Sequence, residues 1–219
     1  MEGERDALLD AWPLFGLVVR SERLELRLPR EEELAELLQL AKSGIHEADY
    51  MPFGFAWTDQ SSPQLERSFM RYHWGTRASW SVDDWTLDFG VWIGGRLVGT
   101  QGMRGERFAL LKSVGTGSWL GRRHQGLKIG REMRAAILSF AFDQLGAERA
   151  TSEAFLDNAA SIGVSRSLGY ADNGYRWMAP RGAARQEQMF LMTRAAWYSR
   201  ERAPIRVEGF DACREMFGI

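Results

Sequence analysis

The stretch "GSWLGRRHQGLKIGREMRAAILSFAF", residues 117–142, decides the fold class, because it joins a strand to a long helix through a basic, glycine-containing turn. Ile129, Met133, Ala136 and Ile137 recur on one face of that helix. The start of a helix offers unpaired backbone N–H groups and the positive end of the helix dipole. Glycine lets an anion approach this backbone closely. The turn therefore predicts a phosphate-binding site.

The same turn also has a simpler interpretation. Short turns with glycine often connect a strand to a helix without binding anything. The residues "QGLKIG" at 125–130 lack the closing Gly-Lys-Ser/Thr of a P-loop and the spacing of a dinucleotide fingerprint. The turn alone therefore does not identify a ligand.

The composition predicts one cytoplasmic domain over residues 1–219. A chain of 219 residues that is 45% hydrophobic can build one buried core but hardly two. The net charge of −1 gives no sign of a nucleic-acid partner, and no run is apolar for long enough to span a membrane. The one cysteine, Cys213, cannot form an internal disulfide, which suits a reducing compartment. We expect a core over about residues 20–198, with the tail 199–219 packed on it or in an interface.

The order of predicted elements indicates a mixed α/β fold. Arg23–Leu28 alternates as a strand does, and two helices follow, the second with Ser62 as its cap and Pro63 in its first turn. Three strands come next, the first two joined by a hairpin turn at Gly94 and Gly95. Helix, strand, helix and two strands complete the chain, the last of them "EQMFLMTRAAW". This order predicts a single central sheet of about seven strands flanked by helices.

A second signal lies downstream in "DNAASIGVSRSLGY", residues 157–170. Asn158 and Ser161 stand at the start of a short predicted helix, and Gly169 and Tyr170 at its end. Asn158 is also a good helix cap and Gly169 a good helix stop, so a purely structural role explains both residues equally well.

Together the two signals resemble the GNAT family, the acyl-CoA-dependent N-acyltransferases. Gln125 and Gly130 match the ends of the family's pyrophosphate motif, whereas Lys128 stands at its middle glycine. "SERLELRLPREEE" and "FLMTRAAW" resemble the branch of the ribosomal-protein N-terminal acetyltransferases. "MPFGFAWT" and "VEGFDACREMFG" are similar to a mycobacterial branch that uses succinyl-CoA. The resemblance covers about residues 23–197.

The resemblance implies a V-shaped cleft where "GSWLG" splays from "TSEAFL", with an acyl-CoA in it. It implies Ser161 as the donor of a hydrogen bond to the thiol sulfur, because Ser165 replaces the tyrosine acid of many members. Among the candidate bases Glu153 is favoured, although its position on a strand agrees better with a salt-bridged structural residue. The implied cofactor-binding residues are Trp119, Leu120, Gly121, Gln125, Gly126, Leu127, Lys128, Ile129, Gly130, Arg131, Asn158 and Ser161.

The implied activity is direct transfer of an acetyl or succinyl group from acyl-CoA to a primary amine, on a small molecule or on a protein N-terminus or lysine. We expect a homo-oligomer, no metal, no membrane and no nucleic acid. A non-catalytic acyl-CoA-binding or regulatory domain and an unrelated nucleotide-binding enzyme stay open as alternatives.

Other candidate bases are His46, Glu47, Asp49, His73, Asp84 and His124. Candidates for the 3′-phosphate are Arg122, Arg123, Arg131 and Arg134, and for a succinyl carboxylate Arg67, Arg71, Arg77 and Arg104.

Overall fold

Nine strands form one open sheet in the computed structural model, which describes residues 7–219. They are β1 Val18–Arg20, β2 Leu24–Arg27, β3 Asp84–Ile93, β4 Arg96–Glu106, β5 Ser113–Leu120, β6 Arg149–Phe155, β7 Ala171–Met178, β8 Arg185–Thr193 and β9 Arg206–Glu208. Their order across the sheet is β7-β8-β6-β5-β4-β3-β2-β1-β9. All neighbours are antiparallel except β5 and β6, which run parallel.

Helices cover both faces of this sheet. They are α1 Ala7–Ala11, α2 Glu31–Lys42, α3 Gln64–Ala78, α4 Phe108–Leu111, α5 Ile129–Ser139, α6 Ala159–Ser167, α7 Arg194–Tyr198 and α8 Phe210–Cys213. The helix α5 continues as a π-helical turn over Phe140–Gln144. Its apolar face packs in the main core, while leucines of α2 and α3 pack with Trp92 and Leu97 in a second cluster.

The mixed α/β fold is confirmed, but the expected count of about seven strands was wrong. The two strands that sequence patterns missed, β1 and β9, are three residues long and pair with each other at one edge. Such short segments carry too little alternation to be recognised, and only tertiary pairing makes them strands. The last predicted strand was also too long, because β8 ends at Thr193 and "RAAW" belongs to α7.

The predicted start of the second helix was wrong in detail. The helix α3 begins at Gln64, and Pro63 occupies the cap position without a side-chain cap. The Ser62 hydroxyl instead donates to the Glu66 carboxylate at 2.5 Å. Proline lacks an N–H group, so it suits either the cap or the first helical position, and sequence does not separate the two.

The C-terminal tail contributes to the main core. Phe210, Cys213 and Phe217 are buried there, and the ring of Phe217 packs against Trp85 at 5.0 Å between centroids. Residues 206–208 extend the sheet as β9. The tail therefore completes the edge and the floor of the same core.

The parallel pair β5–β6 separates early. Only three residue pairs join the two strands, the last being Gly115 with Thr151. β5 then runs on to Leu120 and β6 to Phe155, each still paired on its other side, to β4 and β8 respectively. The sheet thus contains the splayed cleft that was expected at "GSWLG" and "TSEAFL".

The helix α3 carries a buried histidine towards the sheet. His73 is 5% exposed and packs against Phe69, with 4.7 Å between the ring centroids. Burial, and then the nearby Arg77 guanidinium, lower the pKa of His73 to about 4, against a smaller opposing effect of Glu31. The ring is therefore neutral at physiological pH and stabilises the fold only in that form.

This burial predicts a loss of stability in acid. The unfolded chain binds a proton to His73 below about pH 6.5, whereas the folded chain does so only near pH 4, so stability falls between these values. The shift corresponds to about 2 kcal/mol of unfolding free energy lost between about pH 7 and 5. Urea unfolding at both pH values should show a smaller difference for His73→Gln than for the wild type. An unchanged difference would contradict the assignment.

Candidate functional site

The cleft exposes backbone groups of β5. Gly121 N–H donates to Val98 O of β4 at 3.0 Å, and the register between β4 and β5 has no shift. Because antiparallel ladders alternate, the backbone groups of Trp119 also face β4, and those of Ser118 and Leu120 face the cleft. An extended ligand in the cleft would therefore pair with Ser118 and Leu120, as an added strand does.

The turn after β5 holds a row of free N–H groups. The N–H groups of Gly121, Arg122, His124 and Gln125 donate to carbonyls of the chain. Within residues 7–219, the next six N–H groups, 126–131, have no acceptor. Together with the dipole of α5 they form a concave site for an anion.

Lys128 adopts the backbone conformation that the motif's glycine would favour. Its φ is +63°, and Gly126 nearby has a φ of +74°. A residue with a Cβ pays about 1–2 kcal/mol in this left-handed region. The Lys128 side chain is exposed and adds a positive charge beside the free N–H groups. Lys128 thus keeps the backbone conformation that suits the motif's glycine, at some cost in folding stability.

Gln125 holds the turn in place. Its side-chain N–H₂ donates to Leu120 O at 2.9 Å and to Ile45 O at 2.7 Å. These bonds tie the turn to the end of β5 and to the loop that follows α2. The Leu120 carbonyl is thereby occupied, while its N–H remains directed at the cleft. Leu120 and Ile129 are buried, so only their backbone groups are available to a ligand.

On the other side of the cleft, Asn158 caps α6. Its side-chain oxygen accepts from Ser161 N–H at 3.1 Å, so the structural interpretation of this asparagine holds. The Ser161 side chain is half-buried, and its hydroxyl makes no hydrogen bond to the described part of the chain. The Ser165 hydroxyl, at the position of the family's tyrosine, is buried without a partner. Val164 of α6 would lie 3.6 Å from a Cβ at Gly130, which brings the starts of α5 and α6 together.

Glu153 of β6 lies two residues beyond Thr151, and Gly117 of β5 lies two residues beyond Gly115, the last pair that joins the two strands. The two residues therefore lie on the same face of the sheet, on opposite sides of the cleft. Burial raises the pKa of Glu153, while the positive charge of Arg176 opposes that shift. The two side chains form an ion pair at 3.5 Å, and Arg176 also binds Glu187 at 2.7 Å. Glu153 is therefore both a salt-bridged strand residue and a carboxylate with raised proton affinity at the cleft.

Arg134 lies where β5 and β6 diverge. It is 4% exposed, and its two terminal nitrogens donate to Ser152 Oγ at 2.7 Å and to Ser118 Oγ at 3.3 Å. Its Nε has no partner, and within the described residues no carboxylate lies at ion-pairing distance. The expectation that Arg134 reaches a 3′-phosphate at the surface was wrong, because the side chain points into the core. Arg122, Arg123 and Arg131 are exposed near the turn.

The other candidate bases have structural partners or lie in the open. His46 engages both ring nitrogens, with Glu47 O at 2.8 Å and Thr58 Oγ1 at 2.7 Å. Glu47 pairs with Arg122 at the surface, and Asp84 pairs loosely with Arg104 at 3.8 Å. Burial and the charge of Arg123 lower the pKa of His124.

Sequence patterns missed a half-buried carboxyl group, Asp88 of β3. Burial raises its pKa, against a smaller opposing effect of the nearby Tyr72 hydroxyl of α3. Its Oδ2 is buried without a partner. The available signal was one acid inside the otherwise apolar strand "WTLDFGVWI".

The loop between α2 and α3 lies against the far side of the cleft. Arg185 of β8 binds the Asp157 carboxylate at 2.7 and 2.8 Å and contacts Met51 O of the loop. Arg181 binds Asp59 of the loop with two bonds of 2.6 Å. The loop is thus fixed to both walls, since Gln125 holds its start at Ile45. Across residues 7–219 no group of His, Cys, Asp and Glu could hold a metal, and no helix is long and apolar enough to cross a membrane.

Comparison with known proteins agrees with this geometry. The model of the acetyltransferase (GNAT) domain family matches residues 23–171. Among solved structures, RimJ of Mycobacterium smegmatis with a CoA disulfide has 19% identity and a TM-score of 0.70, covering 93% of this chain and 95% of that one. RimL, a ribosomal L7/L12 α-N-protein acetyltransferase with coenzyme A, has 17% identity and a TM-score of 0.66, covering 80% and 97%. These two structures show the fold. Since the family match spans more than half of the sequence, the chain belongs to the GNAT acetyltransferase family and is an acyl-CoA-dependent N-acyltransferase.

Proposed function

We propose that the protein transfers an acyl group from acyl-CoA to a primary amine by direct attack in a ternary complex. The observation that carries this proposal is the early separation of β5 and β6, with six free N–H groups at its mouth. The pyrophosphate of CoA binds the N–H groups of residues 126–131, and Lys128 adds charge there. The pantetheine arm lies along Ser118 and Leu120, while Trp119, Gly121 and Gln125 hold this edge in place. Asn158 positions Ser161 on the opposite wall.

The chemistry assigns one task to each catalytic side chain. Glu153 accepts a proton from the incoming ammonium, since burial has raised its proton affinity. The neutral amine attacks the thioester carbon, and the C–S bond breaks. The thiolate takes up the proton released from the attacking nitrogen, while the Ser161 hydroxyl donates a hydrogen bond to the sulfur. Glu153 then returns its proton to water.

We further propose that the donor is a dicarboxylic acyl-CoA such as succinyl-CoA. A buried guanidinium without a counter-ion is costly, and a ligand carboxylate offsets that cost. Arg134 is such a group at the closed end of the cleft. Two of the arginines that the sequence suggested for the succinyl carboxylate are less suitable. Arg77 already binds Glu31, and the Arg104 side chain is 59% exposed.

Gly130→Glu tests the phosphate site. A Cβ there meets only ordinary contacts, at 3.6 Å from Val164 and 4.0 Å from Leu120, so the variant should fold. The new carboxylate repels the pyrophosphate and should weaken CoA binding at least about 10-fold in calorimetry at low salt. Gly75→Glu, an exposed glycine of α3 with open space around it, is the matched control. Equal affinity of a folded Gly130→Glu variant and the control would refute the phosphate assignment.

Ser161→Ala should leave CoA binding nearly intact and lower kcat by about 10- to 100-fold, because the hydrogen bond to sulfur strengthens as negative charge develops. Thiol release with an amine acceptor measures turnover, and calorimetry measures binding. Loss of both together would show instead that Ser161 only supports the start of α6. Wild-type binding without thiol release from any amine would favour a non-catalytic domain.

The donor proposal predicts a higher kcat/KM for succinyl-CoA than for acetyl-CoA with the same amine. A charge-assisted contact is worth about 1.5–3 kcal/mol, or roughly 10- to 100-fold. Arg134→Met retains the volume of the side chain without its charge and should abolish the preference while acetyl-CoA still reacts. A wild-type preference for acetyl-CoA, or a succinyl preference that survives in Arg134→Met, would contradict the proposal.

A further inference from the structure

Asp88 stands in one transverse row with two glycines and the cleft. Asp88 of β3 pairs with Gly102 of β4, and Gly102 pairs with Gly117 of β5. Glu153 lies on the other side of the cleft, two residues beyond Thr151, which pairs with Gly115. Side chains that are paired in register point to the same face, so Asp88 and Glu153 both lie on the face covered by α2 and α3.

Between Asp88 and Glu153 this face of the sheet presents two glycines, Gly102 and Gly117, which have no side chains. A Cβ at Gly102 would lie 2.6 Å from Asp88 Oδ1, so this carboxylate leans over Gly102 towards the cleft. A Cβ at Gly117 would meet nothing within 4 Å, so the space above Gly117 is open. The surface above these two glycines therefore connects Asp88 to the place where the thioester would lie.

Asp88 has no positive partner in the described residues. Its Oδ2 is buried without a partner, and the Tyr72 hydroxyl is the group that interacts with the carboxyl group. A buried carboxylate without a counter-ion is costly, and a bound cation offsets that cost. The carboxylate is thus ready to receive a positively charged group of a ligand.

The distance from Asp88 to the thioester decides between two roles for this carboxylate, as the base for the reacting nitrogen or as the partner of a second positive charge. A pantetheine arm that lies as an added strand beside β5 is two strand spacings, about 10 Å, from a carboxylate above β4. A base on the reacting nitrogen must lie within about 6–7 Å of the thioester carbon, which is the sum of the attack distance and one hydrogen bond. Asp88 is too far away for that role, whereas Glu153 borders the cleft. When the attack distance and one hydrogen bond are subtracted from about 10 Å, the remaining distance fits a second nitrogen about 4–6 Å from the reacting one.

We propose that Asp88 binds a second positive charge of the acceptor, so that the preferred acceptors are amines with another cationic nitrogen a few bonds from the reacting one. This inference rests on the proposed function and deepens it by naming the acceptor class. The reacting amine lies over Gly117 beside Glu153, and the second ammonium lies over Gly102 against Asp88.

The test compares putrescine with n-butylamine, which has the same chain and one charge fewer. The wild type should use putrescine with a kcat/KM higher by roughly 10- to 100-fold. Asp88→Asn should remove this ratio by lowering the value for putrescine while butylamine is little affected. Asp84→Asn, the same change at an exposed site of the same strand, is the control and should behave as the wild type. A ratio that persists in Asp88→Asn, or an equal loss for both amines, would overturn the proposal.

Measurements of amine binding and of thermal stability test the proposal without relying on turnover. Calorimetric titration of putrescine into the CoA-bound protein should show weaker binding by the same factor in Asp88→Asn, even if no amine is acylated. Absence of transfer from the wild type to any amine would remove the proposed function, whereas putrescine binding that ignores Asp88 would remove this inference. Replacing an unpaired buried carboxylate with a neutral amide should leave the melting temperature equal or higher. A large drop would show that Asp88 serves the fold.

Discussion

The early end of the pairing between β5 and β6 is the constraint on which the rest of the structure depends. Three residue pairs join the strands, and beyond Gly115 and Thr151 their facing backbone groups have lost their partners. Unpaired backbone groups at the centre of a sheet are costly unless water or a ligand binds them. The elements that follow each strand, α5 and α6, start at the mouth of this cleft and direct their N-termini to it. A ligand with an extended amide-bearing arm and a diphosphate satisfies both requirements at once.

Two ionisable side chains, each with a buried unpaired atom, flank the cleft on opposite faces of the sheet. Arg134 reaches it from α5, and Asp88 leans towards it beneath α3, and neither forms an ion pair with the described part of the chain. A guanidinium and a carboxyl group, each with a buried unpaired atom, therefore lie beside the cleft on opposite faces of the sheet. Such residues lower stability in the free protein and lower the cost of binding complementary charges, which is the usual compromise at functional sites.

The sequence was sufficient for elements with long periodic patterns and for local motifs. The helix α5, the turn before it and the helix start at Asn158 were predictable because each depends on neighbours in the chain. The edge strands β1 and β9 were not, since three residues form a strand only when a distant segment pairs with them. The burial of Arg134 and the position of Asp88 were missed for a related reason. Their importance lies in the lack of a counter-ion, and that is a property of tertiary packing. The sequence showed Arg134 as one more charge on a polar helix face, whereas the structure buries it.

Hydrogen exchange of individual backbone amides, with and without CoA, tests the central claim most directly. In the free protein the amides of Ser118 and Leu120 and those of residues 126–131 should exchange fast, because they have no acceptor within the chain. Saturating CoA should slow these amides while those of Trp119 and Gly121, already bonded to β4, remain unchanged. Protection that appears elsewhere, or amides 126–131 that stay fast in the complex, would contradict the account.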